Sequence, residues 1–247
     1  MPSSDQKDRL IVALDVETFE EARQLIDQLS LHVNIYKVGS QLFTSVGPIA
    51  VRYLLSLGKK VFLDLKFHDI PNTVANAVSA ATGMHAGQDK NSAGNSIFMY
   101  TVHTLGGKAM LEAAVAAAIK KAKELNIPKP LGLGITVLTS DGQTPHTTST
   151  VLERALLAKE AGLDGVVASV QEAQILRQKL GREFIIVTPG IRPQGSEVGD
   201  QQRIASPSEA IQNGSDYLVV GRPIVKAANP SDAAQKTLAE IREARRP

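Results

Sequence analysis

Eight short apolar runs, each followed by a stretch of different periodicity, constrain this chain more than any other feature. They are RLIVALD (9–15), NIYKVGS (34–40), KVFLDLK (60–66), SIFMYTVHT (96–104), LGLGITVLT (131–139), GVVAS (165–169), EFIIVTPG (183–190) and DYLVVGR (216–222). Most are continuous rather than alternating, the pattern of strands buried on both faces in a parallel sheet. Amphipathic helical spacing covers 17–30, 107–125 and 150–161, and helices also fit 170–180, 207–213 and 230–244. In SPSEA, Ser206 is placed as a helix N-cap, with Pro207 at the first helical position and Glu209 at the third. Gly58, Gly162 and Gly214 stand where helices should stop.

Eight strands alternating with helices over about 220 residues is the arithmetic of an α/β fold, the (β/α)8 or TIM barrel. The competing architecture is a doubly wound open sheet. That fold usually has fewer strands and often a glycine-rich first turn, whereas the first strand here runs out as LDVET. Residues 1–247 read as one domain, with no internal repeat and no linker. Residues 83–95 (GMHAGQDKNSAGN) break the rhythm and read as an exposed loop between the third helix and the fourth strand.

Composition narrows the function. The formal net charge is +2 with no basic tract, which disfavours nucleic acid as the main partner. The absence of cysteine excludes disulfides, thiolate metal sites and cysteine nucleophiles, and fits a reducing compartment. The opening MPSSDQKDR has no apolar signal core, and no segment approaches a membrane span. The expectation is a cytoplasmic protein with no membrane partner.

In such a barrel, chemistry sits at the C-terminal strand ends and the loops after them. Those positions hold Asp15, Lys37, Asp64 with Lys66 and Asp69, His103, Thr139, Arg192 and Arg222. The strand beginnings are expected to hold far fewer charges. Residues two apart on a strand share a face, so Phe62, Asp64 and Lys66 point together. Asp64 and Lys66 alone would fit an ordinary salt bridge. Lys37, at the matching end of the preceding strand, makes a line of alternating charges at one mouth. Neighbouring carboxylates hold a lysine protonated, and such a lysine can stabilise a carbanion and then give it a proton.

A second cluster lies in TPGIRP (188–193) and VGRPI (220–224), after strands seven and eight, where barrels usually hold phosphate. Arg192 and Arg222 can each give phosphate two parallel hydrogen bonds, and Gly221 allows close backbone approach. The alternative is a pair of surface arginines in turns. His103, before Gly106 and Gly107, reads as a packed, hydrogen-bonded histidine, and His68 is ambiguous. No HExxH or paired-carboxylate metal spacing is present.

Taken together, LDV (14–16), YKVG (36–39), DLKFHDIPNT (64–73), VHTLGG (102–107), TVLTS (136–140), TPGIRPQGSEVGDQQR (188–203) and VGRPI (220–224) resemble the bacterial-type orotidine 5′-phosphate decarboxylases. The match runs through most of the chain in the family's order. The resemblance implies conversion of orotidine 5′-phosphate to uridine 5′-phosphate and carbon dioxide in pyrimidine biosynthesis, with no metal and no organic cofactor. It implies Lys66 as proton donor to C6, flanked by Asp64 and Asp69, with Lys37 completing the network. It places Asp15, Lys37 and Thr73 on the ribose, and Thr139 and Ser140 by the pyrimidine. Arg192, Gln201, Gly221 and Arg222 fall on the phosphate. It also implies a homodimer in which Asp69 and Thr73 serve the partner's site. The nearest alternative is a magnesium-dependent sugar-phosphate decarboxylase or aldolase on a related barrel. Those enzymes share Asp-x-Lys-x-x-Asp but carry a glutamate metal ligand where this chain has Lys37. A barrel that binds nucleotide without catalysis is the alternative from another class.

Overall fold

A computed structural model describes residues 8–85, 96–138, 144–193 and 204–244. Eight parallel strands close into a barrel in chain order, and the last pairs with the first. They are β1 (Leu10–Ala13), β2 (Ile35–Gly39), β3 (Lys60–Phe67), β4 (Met99–His103), β5 (Leu131–Ile135), β6 (Gly165–Val167), β7 (Ile185–Thr188) and β8 (Tyr217–Val220). Each lies within its apolar run, extended by one residue at β3, and the (β/α)8 barrel stands in place of the open sheet. Outside it run α1 (Phe19–Leu29), α2 (Ser40–Val46), α3 (Ile49–Ser56), α4 (Pro71–Thr82) and α5 (Gly107–Leu125). They continue as α6 (Thr147–Glu160), α7 (Val170–Leu180), α8 (Pro207–Gln212), α9 (Arg222–Val225) and α10 (Pro230–Glu243).

Local chemistry sets the helix ends. Ser206 caps α8 in a reciprocal box with Glu209, and Pro207 takes the first helical position. Thr18 and Glu21 form the same box at α1. Gly58, Gly162 and Gly214 take positive φ values of 71°, 84° and 97° after α3, α6 and α8, a backbone that side chains resist. Periodicity alone does not mark α2, α3 or α4. The first two span 7 and 8 residues, too short to repeat an apolar stripe. In α4, alanine, serine and threonine blunt the contrast between faces. Helix α6 starts three residues before the expected 150. Of the expected loop at 83–95, residues 86–95 lie outside the described residues, and His85 pairs with Ser96 in an antiparallel bridge at its base.

The core has two layers. Most buried apolar side chains pack between strands and helices. A smaller cluster, including Ile11, Ile35, Phe62, Met99, Leu133 and Val187, fills the barrel interior. Burial raises the phenols of Tyr36 and Tyr100 well above their ordinary value, so both are neutral.

The N-terminal end of the barrel carries more charge than expected. Lys60 pairs with Asp8 at 2.9 Å, Lys129 with Asp164 at 2.5 Å, and Arg177 with Asp216 at 2.5 Å. Asp8, Lys129, Asp164 and Asp216 lie just outside the strands, and Arg177 comes from a helix. Asp216 and Lys60 open two of the apolar runs, which give no sign of their partners, and a reading of those runs passes over the other four.

Candidate active site

Barrel register builds the site. Ala13, Ile35, Phe62 and Met99 belong to the interior cluster. Two residues further along the chain, the same inward face carries Asp15, Lys37, Asp64 and Thr101. The interior is apolar below and charged at its C-terminal mouth.

The charges alternate. Lys37 Nζ donates to Asp15 Oδ1 at 2.9 Å and lies 3.7 Å from Asp64 Oδ2. Lys66 Nζ donates to the same Asp64 Oδ2 at 2.9 Å. The middle of the line is buried and both ends are open: the side chains of Lys37 and Asp64 are each 11% exposed, Lys66 38% and Asp15 49%. Removing an ion from water costs several kcal/mol unless partners compensate. Asp64 has that compensation from two ammonium groups and the hydroxyl of Thr101, which donates to its Oδ1 at 3.0 Å. Lys66, at one end of the line, keeps donor capacity toward the cavity it lines.

Lys66 reaches this place by an unforeseen route. Simple alternation along β3 fails there, because Lys66 adopts a left-handed φ of 51°. Pairing with β4 runs Leu63 to Tyr100 and then Phe67 to Val102, so four steps on β3 match two on β4. A left-handed lysine costs on the order of 1 kcal/mol or more, and the Lys66 N–H donates to Thr101 Oγ1 at 2.9 Å.

Gly39 is the other residue that the charge pattern does not reveal. A β-carbon there would lie 2.7 Å from Lys37 Nζ and 3.3 Å from Asp15 Oδ1. The lysine's charged end occupies the space that this glycine leaves. The quoted motif contains Gly39, but spacing alone gives no sign of its use. The cavity, about 130 Å³, is lined by Lys37, Asp64 and Lys66 on one side and by Ile135, Val137, Val167, Ala168 and Pro189 on the other.

The remaining sequence candidates separate. Asp69 and Thr73 are exposed, on the segment that leads into α4 and in its first turn. The Asp69 carboxylate accepts the Ile70 N–H at 2.6 Å and joins no ion pair among the described residues. Gly221 borders Asp15, its position for a β-carbon 3.7 Å from Asp15 Oδ2, so the loop after β8 adjoins the charged line. Arg222 is exposed at the start of α9. Arg192 is half-buried after β7, its backbone N–H donating to Ala205 at 2.8 Å. Thr139, Ser140 and Gln201 lie outside the described residues. His103 accepts the Leu105 N–H through Nδ1 at 3.3 Å, as a hydrogen-bonded histidine should, and stacks on His68 with centroids 5.5 Å apart. Among the described residues, no three His, Asp or Glu side chains converge on a common metal position.

Comparison with known proteins gives the family. The family model described as "Orotidine 5'-phosphate decarboxylase / HUMPS family" matches residues 8–237. The chain belongs to this family. Orotidine 5′-phosphate decarboxylase of Moorella thermoacetica is 47% identical over 244 residues, covering 95% of this chain and 92% of that one. The same-named protein of Syntrophomonas wolfei is 45% identical over 247 residues, covering 96% and 99%. The crystal structure of orotidine 5′-phosphate decarboxylase from Lactobacillus acidophilus superposes with a TM-score of 0.75 at 34% identity, covering 94% of this chain and 98% of that one.

Proposed function

We propose that this protein converts orotidine 5′-phosphate to uridine 5′-phosphate and carbon dioxide; its curated relatives are named orotidine 5′-phosphate decarboxylases. The observation that carries this reading is the line Asp15–Lys37–Asp64–Lys66 at the barrel mouth. A lysine at position 37 puts an ammonium where the magnesium-dependent relatives place a metal-binding carboxylate.

The chemistry follows from the charges. Breaking the bond from C6 to the carboxylate releases carbon dioxide and leaves an electron pair in the ring plane. That pair cannot spread into the π system, so a fixed cation must stabilise it. Lys66 is that cation. It then gives one proton from Nζ to C6 and is left as a neutral amine, which regains a proton from solvent. Asp64 stands beside the departing carboxylate and repels it, with Lys37 3.7 Å from its Oδ2. The repulsion is offset by binding remote from C6. Arg192, Gly221 and Arg222 supply it at the phosphate, together with Gln201. Asp15 and Lys37 take the ribose hydroxyls, and Thr139 and Ser140 meet the pyrimidine.

The same proposal includes a homodimer, with Asp69 and Thr73 acting in the partner's site. Its support is that Asp69 is exposed and stands outside its own chain's ion-pair line. Residues 1–247 are taken as one domain, since the barrel's elements run from Leu10 to Glu243. Residence in the cytoplasm fits a chain without cysteine in which no described helix is long and apolar enough to cross a membrane.

The decisive experiment follows the absorbance of orotidine 5′-phosphate during turnover, with and without prolonged EDTA treatment. Turnover unaffected by chelator is expected. Activity lost to EDTA and restored by magnesium would transfer the assignment to the sugar-phosphate enzymes. Binding without turnover would leave a silent nucleotide-binding barrel.

The dimer has its own test. Lys66→Ala subunits are mixed with Asp69→Ala subunits and allowed to exchange. Random exchange makes half the dimers hybrid, and one site in each hybrid is whole, so about a quarter of all sites should recover. No recovery, with exchange confirmed by mass, would place both residues in one subunit's site.

A further inference from the structure

Thr101 stands outside the charge pattern, yet it touches both residues on which the proposed chemistry depends. It lies on β4 and is fully buried. Its hydroxyl accepts the Lys66 backbone N–H at 2.9 Å and donates to Asp64 Oδ1 at 3.0 Å. A threonine hydroxyl has a single proton. Because Asp64 receives it, the chain of bonds has one direction: Lys66 N–H to Thr101, then Thr101 O–H to Asp64.

Two consequences follow from that direction. Asp64 Oδ1 faces the hydroxyl, so the carboxylate is turned to present Oδ2 to both lysines, at 2.9 Å for Lys66 and 3.7 Å for Lys37. The second concerns the backbone. Between Leu63 and Phe67 the ladder with β4 is interrupted, and the left-handed Lys66 falls in that gap. An N–H left unbonded in such a gap destabilises the conformation that needs it. The Thr101 side chain takes that N–H in place of a β4 carbonyl.

We propose that Thr101 is a positioning residue for decarboxylation, setting the rotation of Asp64 and holding the left-handed turn that aims the Lys66 ammonium at the reacting carbon. This rests on the roles given to Asp64 and Lys66 above. The hydroxyl does this work, while the methyl group only packs. Valine keeps the shape and removes the hydroxyl, and serine keeps the hydroxyl.

The test compares Thr101→Val, Thr101→Ser and Lys66→Ala with the wild-type protein, using steady-state decarboxylation and uridine 5′-phosphate affinity. Thermal unfolding confirms that each variant is folded. Thr101→Val should lower kcat by about 10–100-fold, the scale of a small misplacement of reacting groups. Its KM and its uridine 5′-phosphate affinity should move less than about threefold, because the phosphate grip is remote. Thr101→Ser should recover kcat to within about fivefold of wild type. If Thr101→Val does not fold, Thr101→Ala against Thr101→Ser supplies the same comparison. A folded valine or alanine variant with kcat within about threefold of wild type overturns the proposal, as does a folded serine variant no better than valine. Lys66→Ala separates the two levels. If it turns over normally, the site assignment itself is wrong. If it is inactive while Thr101→Val is normal, only the role of Thr101 is lost.

Discussion

The two ends of the barrel both hold charged side chains out of water, and they satisfy them differently. At the N-terminal end two of the acids, Asp216 and Asp164, are closed off by backbone as well as by a cation. Asp216 accepts from Arg177 and from the Ile186 N–H, while Arg177 also donates to the carbonyls of Gly214, Gly181 and Phe184. Asp164 likewise accepts from Lys129 and from the Gly132 N–H. Each of these pairs ties one segment of chain to the next. At the C-terminal end two lysines share a single oxygen of Asp64, and Lys66 faces the cavity with bonds still to make. Ion pairs of the same residue types are therefore structural where their hydrogen bonds are used up by backbone, and chemical where like charges are held together beside open space.

That contrast can be broken from either side. Lys66→Ala removes the open cation. It should lower turnover by on the order of 10³-fold or more, with thermal stability close to wild type. Part of the affinity for uridine 5′-phosphate should survive. A variant with near-normal turnover in the absorbance assay would remove Lys66 as proton donor, and the distinction between the two ends with it.

Asp216→Ala addresses the other end. The aspartate is buried and its arginine partner nearly so. Leaving a buried charge unpaired costs about 3–5 kcal/mol, and three carbonyls remaining on Arg177 put the expectation at the low end. In a protein of this size that is a fall in Tm of about 6–12 °C. Turnover per folded molecule should be unchanged. Calorimetry and the absorbance assay check the two halves. Lost turnover in a folded Asp216→Ala protein would mean that the ends are not separable.

The parts that were legible in sequence are those where one residue type suffices. Apolar runs, most of them continuous, marked all eight strands, because burial on both faces permits little else. Ser206, Pro207 and Glu209 marked a helix start, because the capping bonds need those groups at that spacing. Asp15, Lys37, Asp64 and Lys66 were legible because charge inside a barrel has few bland explanations. Their contacts were not. Alternation along β3 paired Asp64 with Lys66, but the left-handed backbone that delivers Lys66 depends on a register shift against β4. Thr101 and Gly39 were silent for a similar reason. A threonine in a strand is ordinary, and what a glycine leaves empty is visible only in three dimensions. The ion pairs at the N-terminal end went unread because at least one member of each sits outside the runs or on another element.

Gly39→Ala is the finest probe of the difference between the ends, since it changes no charge. The added β-carbon would sit 2.7 Å from Lys37 Nζ, so one of them must move. The ammonium lies at the end of a flexible side chain, and moving it is far easier than moving a strand. Stability should therefore fall little, by about 1 kcal/mol or less. The displaced Lys37 would lengthen its 2.9 Å bond to Asp15 and its 3.7 Å approach to Asp64. If the mouth works only with its charges in this one arrangement, turnover should fall by about 3–30-fold, as for small displacements at a reacting centre. Lys37→Ala in the same assay sets the floor, because it removes the ammonium altogether. Full activity in a folded Gly39→Ala protein would mean that the mouth tolerates movement as an ordinary salt bridge does. The geometric half of the contrast would then fail, leaving only the difference in hydrogen bonding between the two ends.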